Sequence, residues 1–118
     1  MSDPVIDEDG NRRWYKNGEL HRTDGPAVER ADGSDWWYKN GELHRTDGPA
    51  VELTDGTTMW YVNGKIHRTD GPAIERVGGA KRWFIHGDEL TFGKWCNATN
   101  KTPQEITLLV LRHEPTCV

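Results

Sequence analysis

The chain has 118 residues, a length that suits one domain. Leu, Ile, Val and Phe make up 21 of them, a fraction low enough to signal disorder in a highly charged chain, but the net charge is only −4 and there are six Trp, three Tyr and 13 Gly. An acidic balance without a Lys/Arg block excludes a binder of long DNA or RNA, and the longest apolar run, Leu108–Leu111, is far too short to span a membrane.

Trp and Tyr bury large areas per residue, so an aromatic-rich β structure with a small core is expected. The N-terminal MSDPVIDEDG is acidic and has no apolar signal region, which makes the cytoplasm the expected compartment. Two cysteines, Cys96 and Cys117, fit reduced thiols better than a disulfide framework, although a pair between them stays open.

A period then dominates the chain. WYKNGELHRTDGPAVE occurs at Trp14–Glu29 and again, letter for letter, at Trp37–Glu52; WYVNGKIHRTDGPAIE follows at Trp60–Glu75. Trp14, Trp37, Trp60 and Trp83 are each 23 residues apart, as are Gly10, Gly33, Gly56 and Gly79. A fixed period of this length marks a stacked array in which each unit buries itself against the next. The array occupies residues 1–90. A partial unit at 4–10 precedes full units centred on 14–29, 37–52 and 60–75, and a degenerate unit at 83–90 follows.

Within the second unit, Asp35–Lys39 reads as a strand. Asn40-Gly41 is the pair that suits a type I′ turn, because both positions need positive φ. Glu42–Arg45 returns from it, Asp47-Gly48-Pro49 turns again, and Pro49–Leu53 reads as the second main strand before Asp55-Gly56 enters the next unit. The reading is two main strands per unit with NGELHRTDG as an excursion. Alternation puts Trp14, Trp37, Trp60 and Trp83 on one face and Tyr15, Tyr38, Tyr61 and Phe84 on the other. Val28, Val51 and Ile74 form a further ladder, opposite Glu29, Glu52 and Glu75.

Residues 91–118 form a capping segment. Thr91–Lys101 reads as irregular. Thr102-Pro103-Gln104-Glu105 has the form of a capping box and predicts a short helix over about 103–113, ended by Pro115, with a strand over ITLLVL as the alternative. This helix covers the open end of the array or docks a partner or a second copy.

No catalytic constellation stands out. There is no phosphate loop, no G-x-S-x-G serine, and neither H-x-x-x-H nor C-x-x-C. The spacing of His21, His44 and His67, about 10 Å per unit, is too wide for one metal ion. Each His is expected to bond a neighbouring carbonyl or carboxylate. Asp24, Asp47 and Asp70 suit Asx turns. Arg22, Arg45 and Arg68 either pair with these carboxylates and with Glu29, Glu52 and Glu75, or point outward as a comb for carboxylates or phosphates. No enzyme, cofactor or metal is expected.

An aromatic start, N-G-x-x-H in the middle and D-G at the end resemble the MORN repeat from Trp14 to about Leu90; in the second unit the matching residues are Trp37, Tyr38, Asn40-Gly41, His44 and Asp55-Gly56. After the His the family commonly has H-G-x-G. This chain has His-Arg-Thr-Asp-Gly-Pro-Ala, similar to H-R-x-D-G-P-A repeats of bacteriophage and bacterial proteins. The resemblance implies a mainly β, single-layer antiparallel repeat sheet that serves as a binding or assembly platform. The acidic charge disfavours the phospholipid binding attributed to some members. The expected function is a protein-binding module, such as a phage anti-CRISPR protein that inhibits a bacterial defence effector in the host cytoplasm. Partner-binding candidates are Arg22, Arg45, Arg68, Glu29, Glu52, Glu75, Tyr15, Tyr38 and Tyr61. The alternatives are a sponge for a small signalling nucleotide and a structural or antitoxin-like module, with homodimerisation through the C-terminal segment as a further option.

Overall fold

The computed structural model describes residues 3–113. It is mainly β. In chain order the elements are β1 (Val5–Ile6), β2 (Arg12–Arg13), β3 (Tyr15–Lys16), β4 (Glu19–Leu20), β5 (Val28–Glu29), β6 (Asp35–Trp36), β7 (Tyr38–Lys39), β8 (Glu42–Leu43), β9 (Val51–Glu52), β10 (Thr58–Met59), β11 (Tyr61–Val62), β12 (Lys65–Ile66), β13 (Ile74–Glu75), β14 (Lys81–Ile85) and β15 (Asp88–Leu90). Helices α1 (Phe92–Ala98) and α2 (Pro103–His113) follow. Nine strands form one antiparallel sheet in the order β1-β2-β5-β6-β9-β10-β13-β14-β15. Hairpins β3-β4, β7-β8 and β11-β12 stand beside it as separate two-stranded pairs. The molecule measures 48 × 28 × 20 Å with a radius of gyration of 16.0 Å, against about 13 Å for a compact domain of 100 residues.

The strand expected at Asp35–Lys39 is broken at Trp37: Asp35–Trp36 belongs to the large sheet and Tyr38–Lys39 to a hairpin. The chain therefore builds two rows instead of one layer. The same break recurs at Trp14 and Trp60. In the degenerate unit the strand runs unbroken through Trp83, which pairs with Leu90.

Register sorts the side chains of the large sheet. Val28 lies opposite Trp36, and Val51 opposite both Trp36 and Met59. On the other parity Glu29, Asp35, Glu52, Thr58, Glu75 and Lys81 are successive partners. Val28, Val51 and Ile74 are buried, as are Ala27, Ala50 and Ala73. The glutamates are half-buried.

Each hairpin turns on an Asn-Gly pair in the left-handed region, with φ of 52°, 51° and 50° at Asn17, Asn40 and Asn63. Asn tolerates this conformation better than other side chains that carry a Cβ. His86-Gly87 makes the corresponding turn in the last unit, with φ of 48° at His86. The Asp-Gly turns use side-chain acceptors: Asp32 Oδ1 takes the Ser34 N–H at 2.9 Å and Asp55 Oδ1 the Thr57 N–H at 2.8 Å.

The C-terminal segment holds two helices. The stretch expected to be irregular contains α1, whose N-cap Thr91 accepts the Lys94 N–H. In α2, Thr102 Oγ1 accepts the Glu105 N–H at 3.2 Å and Glu105 Oε1 accepts the Thr102 N–H at 2.9 Å, the reciprocal box legible in the sequence. Pro115 and Cys117 lie outside the described residues. Cys96 is buried in a cluster with Trp83, Phe92, Trp95 and Leu109. No helix among the described residues is long and apolar enough to cross a membrane.

Replacing Asn40 by Ala keeps every backbone bond but forces a β-carbon without a polar side chain to φ 51°. Asn40→Ala is expected to lower unfolding free energy by about 1 kcal/mol in urea titration. Exposed Lys39→Ala should stay within about 0.5 kcal/mol of the parent.

Candidate functional site

Each repeated Trp is the branch point between the two rows. The Trp14, Trp37 and Trp60 N–H groups donate to the carbonyls of Ala27, Ala50 and Ala73 at 2.8, 2.7 and 2.8 Å. Their own carbonyls accept from the N–H of His21, His44 and His67 at 2.9, 3.0 and 3.0 Å. The His-Arg-Thr-Asp loop is thus tied back onto the Trp that began its unit.

The next residue seals the unit. The guanidinium carbons of Arg22, Arg45 and Arg68 lie 3.8, 3.9 and 3.9 Å from the ring centroids of Trp14, Trp37 and Trp60. Nε donates to Asp24, Asp47 and Asp70 at 2.9, 2.9 and 2.7 Å. Nη1 donates to the carbonyls of Pro26, Pro49 and Pro72 at 3.1, 3.1 and 3.0 Å. Glu29, Glu52 and Glu75 lie 3.6, 3.1 and 3.3 Å from the same Nη1. The Arg45 side chain is 19% exposed while its partner Asp47 is 79% exposed. Solvent screens that ion pair, so it contributes little. The stacking on Trp and the charged bond to a main-chain carbonyl therefore dominate, at about 2 kcal/mol each when desolvated. The arginines, offered by the sequence either as internal partners or as an outward comb, are internal plugs.

The glycine of the motif has a steric reason. A β-carbon at Gly25, Gly48 or Gly71 would meet the arginine Cζ at 2.7 Å. Pro supplies the carbonyl, and Ala fits where exposure is zero. Asp24 and Asp47 are held below the usual carboxylate range, first by the hydrogen bond from Arg22 and Arg45 respectively.

The histidines do something the sequence reading did not anticipate. Instead of donating to a carbonyl or carboxylate, Nδ1 of His21, His44 and His67 accepts the backbone N–H of Asn40, Asn63 and His86, each at 3.0 Å. These bonds run between consecutive units. Beside them Gly41, Gly64 and Gly87 donate to the carbonyls of Leu20, Leu43 and Ile66, each at 2.8 Å, and Arg22, Arg45 and Arg68 donate to those of Tyr38, Tyr61 and Phe84 at 3.2, 3.0 and 3.3 Å. An accepting Nδ1 carries no proton, so each of these rings is the tautomer protonated at Nε2. His67 also stacks on His86 at 4.4 Å.

Grooves open between consecutive units. One of about 480 Å³ is lined by Arg22, Thr23, Asp24, Trp37, Lys39 and His44, among others. A second, of about 410 Å³, repeats the pattern with Arg45, Thr46, Asp47, Trp60, Val62 and His67. Thr23, Thr46 and Thr69 are exposed at the rims, with the Asp residues beside them. The threonines and Lys39 were not among the sequence candidates; the available signal was one polar residue in each loop with no structural task. Tyr15 is exposed and Tyr38 and Tyr61 are half-buried; burial, then Tyr38, raises the Tyr61 pKa. Asp35, between Glu29 and Glu52, is raised first by burial and then by those two carboxylates. Among the described residues no group of three or more His, Cys, Asp and Glu is placed to hold a metal ion.

Comparison of the chain with protein-family models, curated proteins and solved structures finds no match.

Two predictions test this geometry. Gly48→Ala should destabilise by about 1–3 kcal/mol through overpacking against Arg45. In an Arg45→Ala background the same change should cost less than half as much, as a double-mutant cycle by urea unfolding will show. The second concerns pH. Burial is the main cause that lowers the His67 and His113 pKa values from 6.5. The folded state therefore binds fewer protons than the unfolded chain in that window. This stabilisation is fully present above pH 6.5 and is lost as pH falls through the lowered folded-state values. The urea midpoint should fall as the solution is acidified below pH 6.5, and His67→Gln should flatten that slope.

Proposed function

We propose that the chain is a non-enzymatic, MORN-like repeat protein that binds another protein along the grooved side of its array. The observation that carries this reading is the repetition of one groove lining between successive units. A rigid scaffold presents the same exposed Thr-Asp pair at Thr23-Asp24, Thr46-Asp47 and Thr69-Asp70. The row Glu29, Asp35, Glu52 and Glu75 belongs to the large sheet, and with Asp24, Asp47 and Asp70 its seven carboxylates outnumber the five cations Arg22, Arg45, Arg68, Lys16 and Lys39. Such a face complements a basic protein surface, and charge complementarity mainly sets encounter rate and specificity. A nucleic-acid-processing effector of bacterial defence is one target of that kind, and inhibition by covering its basic surface is the corresponding action.

A nucleotide sponge is the weaker reading. Its phosphate contacts would fall to Arg22, Arg45 and Arg68, whose guanidinium groups already serve Trp, Asp and Pro within each unit.

The test is affinity capture of the tagged chain from a bacterial lysate, beside a variant carrying Thr23→Arg and Thr46→Arg. Both positions are exposed, so the fold should persist while the grooves gain positive charge. A stoichiometric protein partner captured by the parent and reduced at least about tenfold by the variant is the expected outcome. Equal capture by both removes the grooves from the contact. No protein partner, together with a concentration-dependent rise in melting temperature with one nucleotide, would replace this reading with the sponge.

A further inference from the structure

The hydrogen bonds between units are the same at three successive junctions, and among the described residues the first hairpin has no counterpart of them. At each junction a segment of the form aliphatic-His-Arg runs antiparallel to the Tyr/Phe-x-Asn/His-Gly stretch of the next hairpin. It accepts from two N–H groups and donates to one carbonyl. The side chain before the aliphatic residue covers the turn glycine: a β-carbon at Gly41 would lie 2.9 Å from Glu19 Oε2, one at Gly64 3.0 Å from Glu42 Oε2, and one at Gly87 3.8 Å from Lys65 Cβ.

In the first hairpin the corresponding groups are the Tyr15 carbonyl and the N–H groups of Asn17 and Gly18. Among the described residues none of the three has such a cross-unit partner. A β-carbon at Gly18 would meet nothing within 4 Å. The groove at this end, lined by Trp14, Tyr15, Lys16, His21, Arg22, Thr23 and Asp24, measures about 270 Å³ and has walls from one unit instead of two. On the same end β1 is the outermost strand of the large sheet, with Val5 58% and Ile6 59% exposed.

We infer that this end of the array is a strand-addition site. Its occupant is an extended segment of a partner protein with the pattern Glu/Lys–aliphatic–His–Arg, the pattern of the three donor segments of the chain, docked antiparallel on Tyr15–Gly18. The argument is continuity: the site is the acceptor half of an interface whose donor half the chain itself supplies three times. A second copy docking head to tail does not fit. At the far end Leu90 and Thr91 stand where His and Arg would be, Thr91 caps α1, and Phe92 and Trp95 cover Trp83. Main-chain bonds supply affinity in strand addition and alternate side chains supply selectivity.

The test uses the isotopically labelled full chain and the synthetic peptide NGELHRTDGPA, identical to residues 17–27. The expected result is saturable protection of the Asn17 and Gly18 amides from hydrogen exchange, with no change at Asn40 and Gly41. A scrambled peptide should give none. A peptide N-methylated at its Arg, which cannot donate to the Tyr15 carbonyl, should bind about fivefold more weakly or worse. The proposal is overturned if the peptide produces no saturable protection up to about 1 mM, or if the N-methylated peptide binds equally well. It is also overturned if sedimentation shows a dimer in which the Asn17 and Gly18 amides are already protected without peptide, since the occupant is then a second copy. None of these outcomes bears on the two grooves between units, which the Thr46→Arg change tests separately.

Discussion

An arginine placed over the tryptophan of its own unit is the contact on which each full repeat depends. The chain is poor in aliphatic residues, so a unit cannot close around a conventional core. The indole and guanidinium planes give it an alternative: a large flat apolar surface covered by a weakly hydrated cation. Once Arg22, Arg45 and Arg68 occupy that position, the rest of the loop is constrained. A carboxylate two residues later meets Nε, the following residue must lack a β-carbon, and a carbonyl four residues on must face Nη1. Repetition of His-Arg-Thr-Asp-Gly-Pro-Ala is mostly the repetition of this one seal.

Stacking is a separate matter, carried by the hairpin row as much as by the nine-stranded sheet. Three cross-unit hydrogen bonds recur at each junction, and one of them ends on an imidazole nitrogen instead of a carbonyl. Stability in such an array is a sum of unit and nearest-neighbour contributions. At the His67 junction, where burial lowers the imidazole pKa, protonation removes this bond, because a doubly protonated ring has no acceptor left. At the last unit the seal changes character. Among the described residues no arginine stacks on Trp83; Phe92 and Trp95 approach its ring at 4.8 and 4.5 Å, and Trp95 Nε1 donates to the Arg68 carbonyl at 2.9 Å. Lys101 adds a bond to the Thr69 carbonyl. Aromatic helix residues thus do for the final tryptophan what arginine does for the others.

Local chemistry made much of this legible in advance. Asn-Gly demands positive φ, Asp-Gly marks the returns, and Thr-Pro-Gln-Glu writes out a helix start. The period identified the array, and the alternation of Val and Glu gave the two faces of β5, β9 and β13. What stayed hidden depends on contacts across distance. Nothing in Asp-Trp-Trp-Tyr-Lys says that Trp37 gives its N–H to one row and its carbonyl to the other. The direction of the histidine bond is set by a backbone N–H nineteen residues away. Helix α1 contains Gly and Asn and is short; it forms because Phe92, Trp95 and Cys96 find Trp83, a tertiary effect that outweighs weak propensity.

If Arg, His, Gly, Pro and Ala of each repeat are consumed by folding, their identity from unit to unit says little about recognition. Function is then to be sought at the positions the scaffold leaves over. Thr23, Thr46 and Thr69 are constant and exposed. The residue two after each Trp is not constant: Lys16, Lys39 and Val62 line the successive grooves. A ligand running along the array from the first unit would meet cationic, cationic and then apolar walls beside the same Thr and Asp. Fixed hydrogen-bonding groups can set its register, while the changing wall distinguishes one groove from the next. A scaffold made of near-identical units acquires direction in this way, through the few residues that its packing does not use.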